Sequence, residues 1–127
     1  MSLKTLAHQF VDLCNQGKNF DVMEQMYAPD IVSVEASGEE VVGKRPVIEK
    51  SRRWGASNTV NGEQVRGPFF DAANGGADRS SGQFAVHFTF DVTPKSTGRR
   101  VTLEEVGLYT VEDGQITREQ FFYEGER

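Results

Sequence analysis

Glu35, Glu105, Glu119, Tyr109 and Tyr123 are the residues of this 127-residue chain best suited to move or hold a proton. Glu35 closes the run "DIVSVEA", just before the turn-forming "SGEE". A carboxylate there is either a solvated strand end or a base at the mouth of a pocket, where loss of water favours its neutral form. Two carboxylates such as Glu105 and Glu119 sharing one apolar cavity would push one pKa up. The phenols of Tyr109 and Tyr123 can donate to a ligand oxygen, although a buried Tyr more often packs its ring and sends its hydroxyl to backbone or water. Other chemistries lack their parts. The two histidines, His8 and His87, are far apart in sequence and Cys14 is the only cysteine, so no metal-ligand cluster is expected. A Ser-His-Asp set and a Gly-rich phosphate loop are missing too, and no cofactor is expected.

The elements that must position these groups are legible from periodicity. Leu3, Leu6, Ala7, Phe10, Leu13 and Cys14 make one apolar stripe, predicting a helix over 3–16 that ends at Gly17. Asn19 is placed to cap a second helix with Phe20, Met23, Met26 and Tyr27 on its inner side, stopped by Pro29. The Glu35 strand follows. A third helix runs from about Lys44 to Trp54, with Pro46 in its first turn and Gly55 ending it. Val47, Ser51 and Trp54 share a face of it, and Lys44, Arg45, Lys50, Arg52 and Arg53 make a basic, solvated face.

The remainder reads as β. Residues 58–70 are a strand bent at Gly62, Gly67 and Pro68. "DAANGGADRSSG" is a polar loop, and "QFAVHFTFDV" alternates with Phe84, Val86, Phe88 and Phe90 on one face. "VTLEEVGLYTV" and "QITREQFFYE" are joined by Glu112–Asp113–Gly114, read as a three-residue hairpin loop. That loop pairs Val111 with Gln115, hence Tyr109 with Thr117, Gly107 with Glu119 and Glu105 with Phe121. The order α-α-β-α-β-β-β-β in one domain, 1–127, gives an α+β class: three early helices packed in a strongly curved antiparallel sheet, a cone with an apolar interior.

Charge and composition narrow the partners. A net charge of −5 and a pI near 5.0 argue against nucleic acid. No apolar run reaches membrane-span length. With one cysteine no internal disulfide is possible, and a reducing cytoplasm is the expected setting.

The helix pair ending in "MYAPDIVSVEA", the "GKRPVIE" helix and the closing "LYTVEDGQITREQFFYE" resemble, in this order, the SnoaL-like branch of the nuclear transport factor 2-like superfamily. The resemblance implies which sheet face is concave. Phe88, Phe90, Glu105, Gly107, Tyr109, Glu119, Phe121 and Tyr123 would then line a pocket, with Trp54 from the third helix. Glu35 falls where related ketosteroid isomerases carry their general-base Asp. Their oxyanion donors correspond to Phe10 and Gly107, so that oxyanion hole is missing. The carboxylate network of epoxide hydrolases corresponds to Phe88, Phe90 and Phe121 and is missing as well. Relatives also imply a homodimer through the outer sheet face, with Val106, Leu108 and Phe122 central and His87 beside them.

The resulting expectation is a small-molecule-binding protein acting on a small apolar carbonyl compound as an isomerase or cyclase. Glu35 would be the base, Glu119 a second acid or base, and Tyr109 or Tyr123 an oxyanion donor. A non-catalytic ligand-binding domain and a protein-interaction module of the same fold are the alternatives, because this fold does not fix function.

Overall fold

The computed structural model describes residues 1–71 and 78–125. Its elements are α1 (Leu3–Asn15), α2 (Asn19–Met26), β1 (Tyr27–Val34), β2 (Glu40–Val42), α3 (Lys44–Ser57), β3 (Asn58–Phe70), β4 (Gly82–Pro94), β5 (Val101–Glu112) and β6 (Gln115–Phe122). Residues 72–77 of the "DAANGGADRSSG" segment lie outside the described residues.

The apolar stripe buries Leu3, Leu6, Ala7, Phe10, Val11 and Cys14 of α1. Ser2 caps the helix by accepting from the Thr5 amide at 3.1 Å. Gly17, at φ +76°, lets the chain leave it. The Gly17 and Lys18 amides then close back on the carbonyls of Cys14 and Leu13. Asn19 does not cap α2 as expected; Lys18 holds that position, and the Asn19 amide donates to Glu63 instead. Tyr27 opens β1 rather than closing α2, and Phe20 is exposed while Val22 is buried. Gly55 lies inside α3, which runs on to Ser57.

The sheet order is β2-β1-β6-β5-β4-β3, open at both edges. Helix α1 packs on β3 and β4, and α3 on β1 and β3, so the helices fill one face. Register shifts at Val60–Gly62 and Arg66–Phe69 bend β3 as the glycines suggested. The α+β cone is therefore present, with two details the sequence reading lacked. Glu40–Val42 is a short extra strand against β1, and β1 pairs with β6 in parallel.

The β5–β6 hairpin corrects the expected register. Asp113 and Gly114 both have positive φ, 48° and 81°, so the loop is a two-residue turn rather than a three-residue one. Val111 pairs with Ile116, Thr117 is left unpaired as a bulge, and Tyr109 then stands opposite Glu119 and Gly107 opposite Phe121. The shorter loop moves the register by one residue and the bulge by one more. A net shift of two leaves the side chains beyond the bulge on their expected face, whereas Ile116, before it, turns into the core.

Candidate functional site

The parallel β1–β6 pairing builds the site, because it sets Ser33 directly beside Glu119. Both are buried, the only polar or charged residues so classed among those described. The Ser33 hydroxyl donates to Glu119 Oε2 at 2.7 Å, and the Tyr27 hydroxyl donates to Glu119 Oε1 in a very short contact. The Lys50 ammonium of α3 donates to Ser33 Oγ at 2.7 Å and to Glu35 Oε1 at 2.5 Å. The Tyr123 hydroxyl donates to the other Glu35 oxygen at 3.1 Å. A continuous polar chain thus runs Tyr27–Glu119–Ser33–Lys50–Glu35–Tyr123, from the core to the surface.

Its outer end is held firmly. Glu35 sits at the base of the β1–β2 hairpin, its amide donating to the Glu39 carbonyl and its carbonyl accepting from Gly38. Gly38, at φ +92°, makes that turn possible. A cleft of about 350 Å³ opens here, lined by Glu35, Ala36, Gly38, Gln120, Phe121, Phe122, Tyr123 and Glu124.

One ammonium serves two carboxyls, and their surroundings differ. Burial pushes the Glu119 carboxyl above its ordinary value, against the pull of the Tyr27 and Ser33 hydroxyls and the Lys50 charge. Burial, reinforced by Glu119, likewise pushes the Tyr27 phenol up. Glu119 is thus the buried end of the polar chain, and Glu35 is the end that meets the cleft. A desolvated carboxyl linked by hydrogen bonds to a second carboxylate on a cleft is an arrangement suited to acid–base chemistry.

Tyr109, Gly107, Phe88, Phe90, Trp54 and Glu105, also expected in the pocket, are not among the residues that line this cleft. Tyr109 is 2% exposed, stacked on Phe84 at 5.2 Å and tilted against Phe10 at 4.6 Å. Gly107 does not leave a gap beside Glu119. A Cβ there would lie 2.8 Å from the Tyr109 ring edge and 3.1 Å from Phe88, so those two rings already fill the space. Phe88 is buried and stacked on Phe90, which meets Trp54 at 5.6 Å. Glu105 stands opposite Phe88, half-buried. Of the expected residues, the structure brings together Glu35, Glu119, Tyr123 and Phe121. Tyr109 touches Phe121 edge-on from the core side. On the outer face His87, Val106 and Phe122 align across three strands, with Val106 and Phe122 exposed.

Sequence reasoning missed Tyr27, Ser33 and Lys50. Lys50 carried a usable signal, since it falls at the helical spacing of Val47, Ser51 and Trp54 rather than with the outward cations. Its side chain is 22% exposed, against 64% each for Arg45 and Arg52. Among the described residues no group of three His, Cys, Asp or Glu side chains is placed to hold a metal, and no helix is long and apolar enough to cross a membrane.

The family model for the SnoaL-like domain matches residues 1–123. A Mesorhizobium loti protein named as a SnoaL-like polyketide cyclase is 41% identical, with 97% of this chain and 100% of that chain covered and a TM-score of 0.85. A Pseudomonas putida protein named as a polyketide cyclase is similar in fold at 17% identity, 98% and 92% coverage and TM-score 0.67. An NTF2-like protein from Cytophaga hutchinsonii is similar at 11% identity, 94% and 97% coverage and TM-score 0.69. No protein of curated function matches the sequence.

Proposed function

This chain belongs to the SnoaL-like domain family, and we propose that it is an acid–base enzyme, an isomerase or cyclase, for a small and largely apolar carbonyl compound bound in the Glu35 cleft. Glu35 takes a proton from the carbon next to the carbonyl. Tyr123, bonded to the same carboxylate, orients it. Glu119 anchors the far end of the chain through Ser33. The observation that carries this reading is the unbroken hydrogen-bonded path from a buried carboxyl to a carboxylate on the cleft wall. The names of similar proteins, polyketide cyclases and an isomerase, agree with this chemistry.

The test is solvent deuterium exchange into a panel of enolisable aryl ketones and 1,3-diketones, followed by NMR. The wild type exchanges the α-hydrogens of at least one member. Glu35→Gln slows that exchange about 10²-fold or more, the usual worth of a positioned general base. Ketones that bind without exchanging faster than in Glu35→Gln would overturn the catalytic reading and leave a ligand-binding domain.

The exposed Val106 and Phe122 at 39% and 48% favour a second, compatible role for the outer face, as a homodimer interface with Leu108 and His87. Phe122→Asp should then give a monomer in sedimentation. A wild type that sediments as a monomer would contradict it. The single, buried Cys14 fits a reducing compartment, and the cytoplasm is the setting proposed.

A further inference from the structure

We propose that Lys50, from behind the cleft wall, stabilises the oxyanion by its charge, so that the ligand of the cleft is one whose carbonyl oxygen becomes negative during the reaction. This rests on the acid–base reading of Glu35 and adds the electrophile which that reading lacks. Family relatives would place oxyanion donors at Phe10 and Gly107. Phe10 has no proton to donate and is packed against Phe84, Phe88 and Tyr109. Tyr123 lines the cleft, but its one hydroxyl proton is donated to Glu35, so charge that develops on a substrate oxygen calls for a further group.

Lys50 has the position for it. An ammonium carries three N–H donors. Two are engaged, by Ser33 and Glu35. The nitrogen lies 5.7 Å from the centroid of the Phe121 ring. Glu35 and Phe121 both line the cleft, so the ammonium stands directly behind two of its walls. The other cations of α3 are used outward. Arg45 pairs with Glu24, while Arg52 pairs with Glu49 and lies over the Phe20 ring. Ser33, fixed by its bond to buried Glu119, anchors Lys50 from behind and acts as a positioning residue.

The charge balance explains why Lys50 is paired with the base. In the resting site its partner is the Glu35 carboxylate. When Glu35 takes the α-proton, the C–H electron pair becomes the C=C bond and the carbonyl π pair moves onto oxygen. The negative charge has then left Glu35 and appeared on the enolate. Lys50 loses its hold on one partner as the other is created, with no net change of charge in the site. Return of the proton to another carbon reverses the transfer, and an attack of the enolate carbon on a second carbonyl would give cyclisation.

Glu35→Gln mimics the site after proton transfer, because its amide is neutral. It should therefore bind an oxyanion better than the wild type does. The probe is 4-nitrophenol, whose phenolate is read by its visible absorbance, with 4-nitroanisole as a neutral ligand of the same shape. In Glu35→Gln the ratio of phenolate to anisole affinity should rise about tenfold over wild type, the worth of one opposite charge at close range. Adding Lys50→Met should abolish that rise and leave the anisole affinity unchanged. Lys50→Arg should retain part of it, and thermal melts of each variant confirm folding. If Glu35→Gln and its Lys50→Met double variant bind phenolate alike, Lys50 does not hold the oxyanion, although ketone exchange can still uphold Glu35 as base. If neither probe binds any variant, the cleft is not the ligand site and both readings fall.

Discussion

Among the described residues, the glutamates Glu63 and Glu119 are both drawn out of water, and they differ in what they are tied to. Glu63 on β3 is raised by burial and accepts from the Asn19 amide at 2.8 Å. Glu119 on β6 is raised by burial too, but it is bonded to two hydroxyls and linked through Ser33 and Lys50 to the cleft. Desolvation acts on both in the same direction. Glu63 is itself partly exposed, and only Glu119 of the two is linked by hydrogen bonds to the cleft. Withdrawal from water is thus a weak sign of function by itself, and connection to a cleft is the stronger one.

The sharpest way to break this contrast is to remove the Glu119 carboxyl. Glu119→Ala leaves the Tyr27 and Ser33 hydroxyls without their acceptor in the core and Lys50 with one carboxylate fewer nearby. A loss of about 3 kcal/mol in denaturant unfolding is expected. Glu119→Gln should lose less and should flatten the pH dependence of stability. The sign is fixed by the direction of the shift. A carboxyl whose folded pKa is raised contributes stability that is complete below its ordinary pKa and lost as pH rises through the folded value.

The apolar side of the contrast is tested at Gly107. Adding a methyl there meets the Tyr109 ring at 2.8 Å, and Gly107→Ala should destabilise by about 2 kcal/mol through overpacking. Its effect on exchange chemistry should be small if the cleft, not the interior beside Gly107, is the site. The smallest effect is expected at Glu63. Glu63→Gln keeps an acceptor for Asn19 and removes a charge that burial disfavours, so it should stabilise at neutral pH by no more than about 1 kcal/mol. It should leave ketone exchange unchanged, in contrast to any change at Glu119.

The sequence made the scaffold legible because periodicity reports burial directly. The stripe of α1, the alternation of β4 and the glycines that bend β3 all map onto the structure. Parity survived in the β5–β6 hairpin only because a short turn and a bulge at Thr117 shifted the register by two residues together. The site was less legible. Glu35, Glu119 and Tyr123 could be named from strand positions, but Ser33 and Tyr27 join Glu119 only through the parallel β1–β6 contact, and Lys50 joins through the packing of α3 on β1. That strand pairing links residues about ninety positions apart, and local patterning does not encode it. Tyr27 read as the end of a helix, and Lys50 was hidden among four neighbouring cations. Gly107, expected to line the pocket, is instead covered by the Tyr109 ring, which turns back from two residues along the same strand.

The central claim is that Glu119 and the cleft communicate through Lys50. Carboxyl-carbon NMR titration of Glu119, in the wild type and in Lys50→Met, tests it most directly. Glu119 should titrate above the ordinary value of about 4.3 and higher still in Lys50→Met, because the ammonium that pulls it down is gone. A Glu119 that titrates in the ordinary range, or one indifferent to Lys50, would contradict the account.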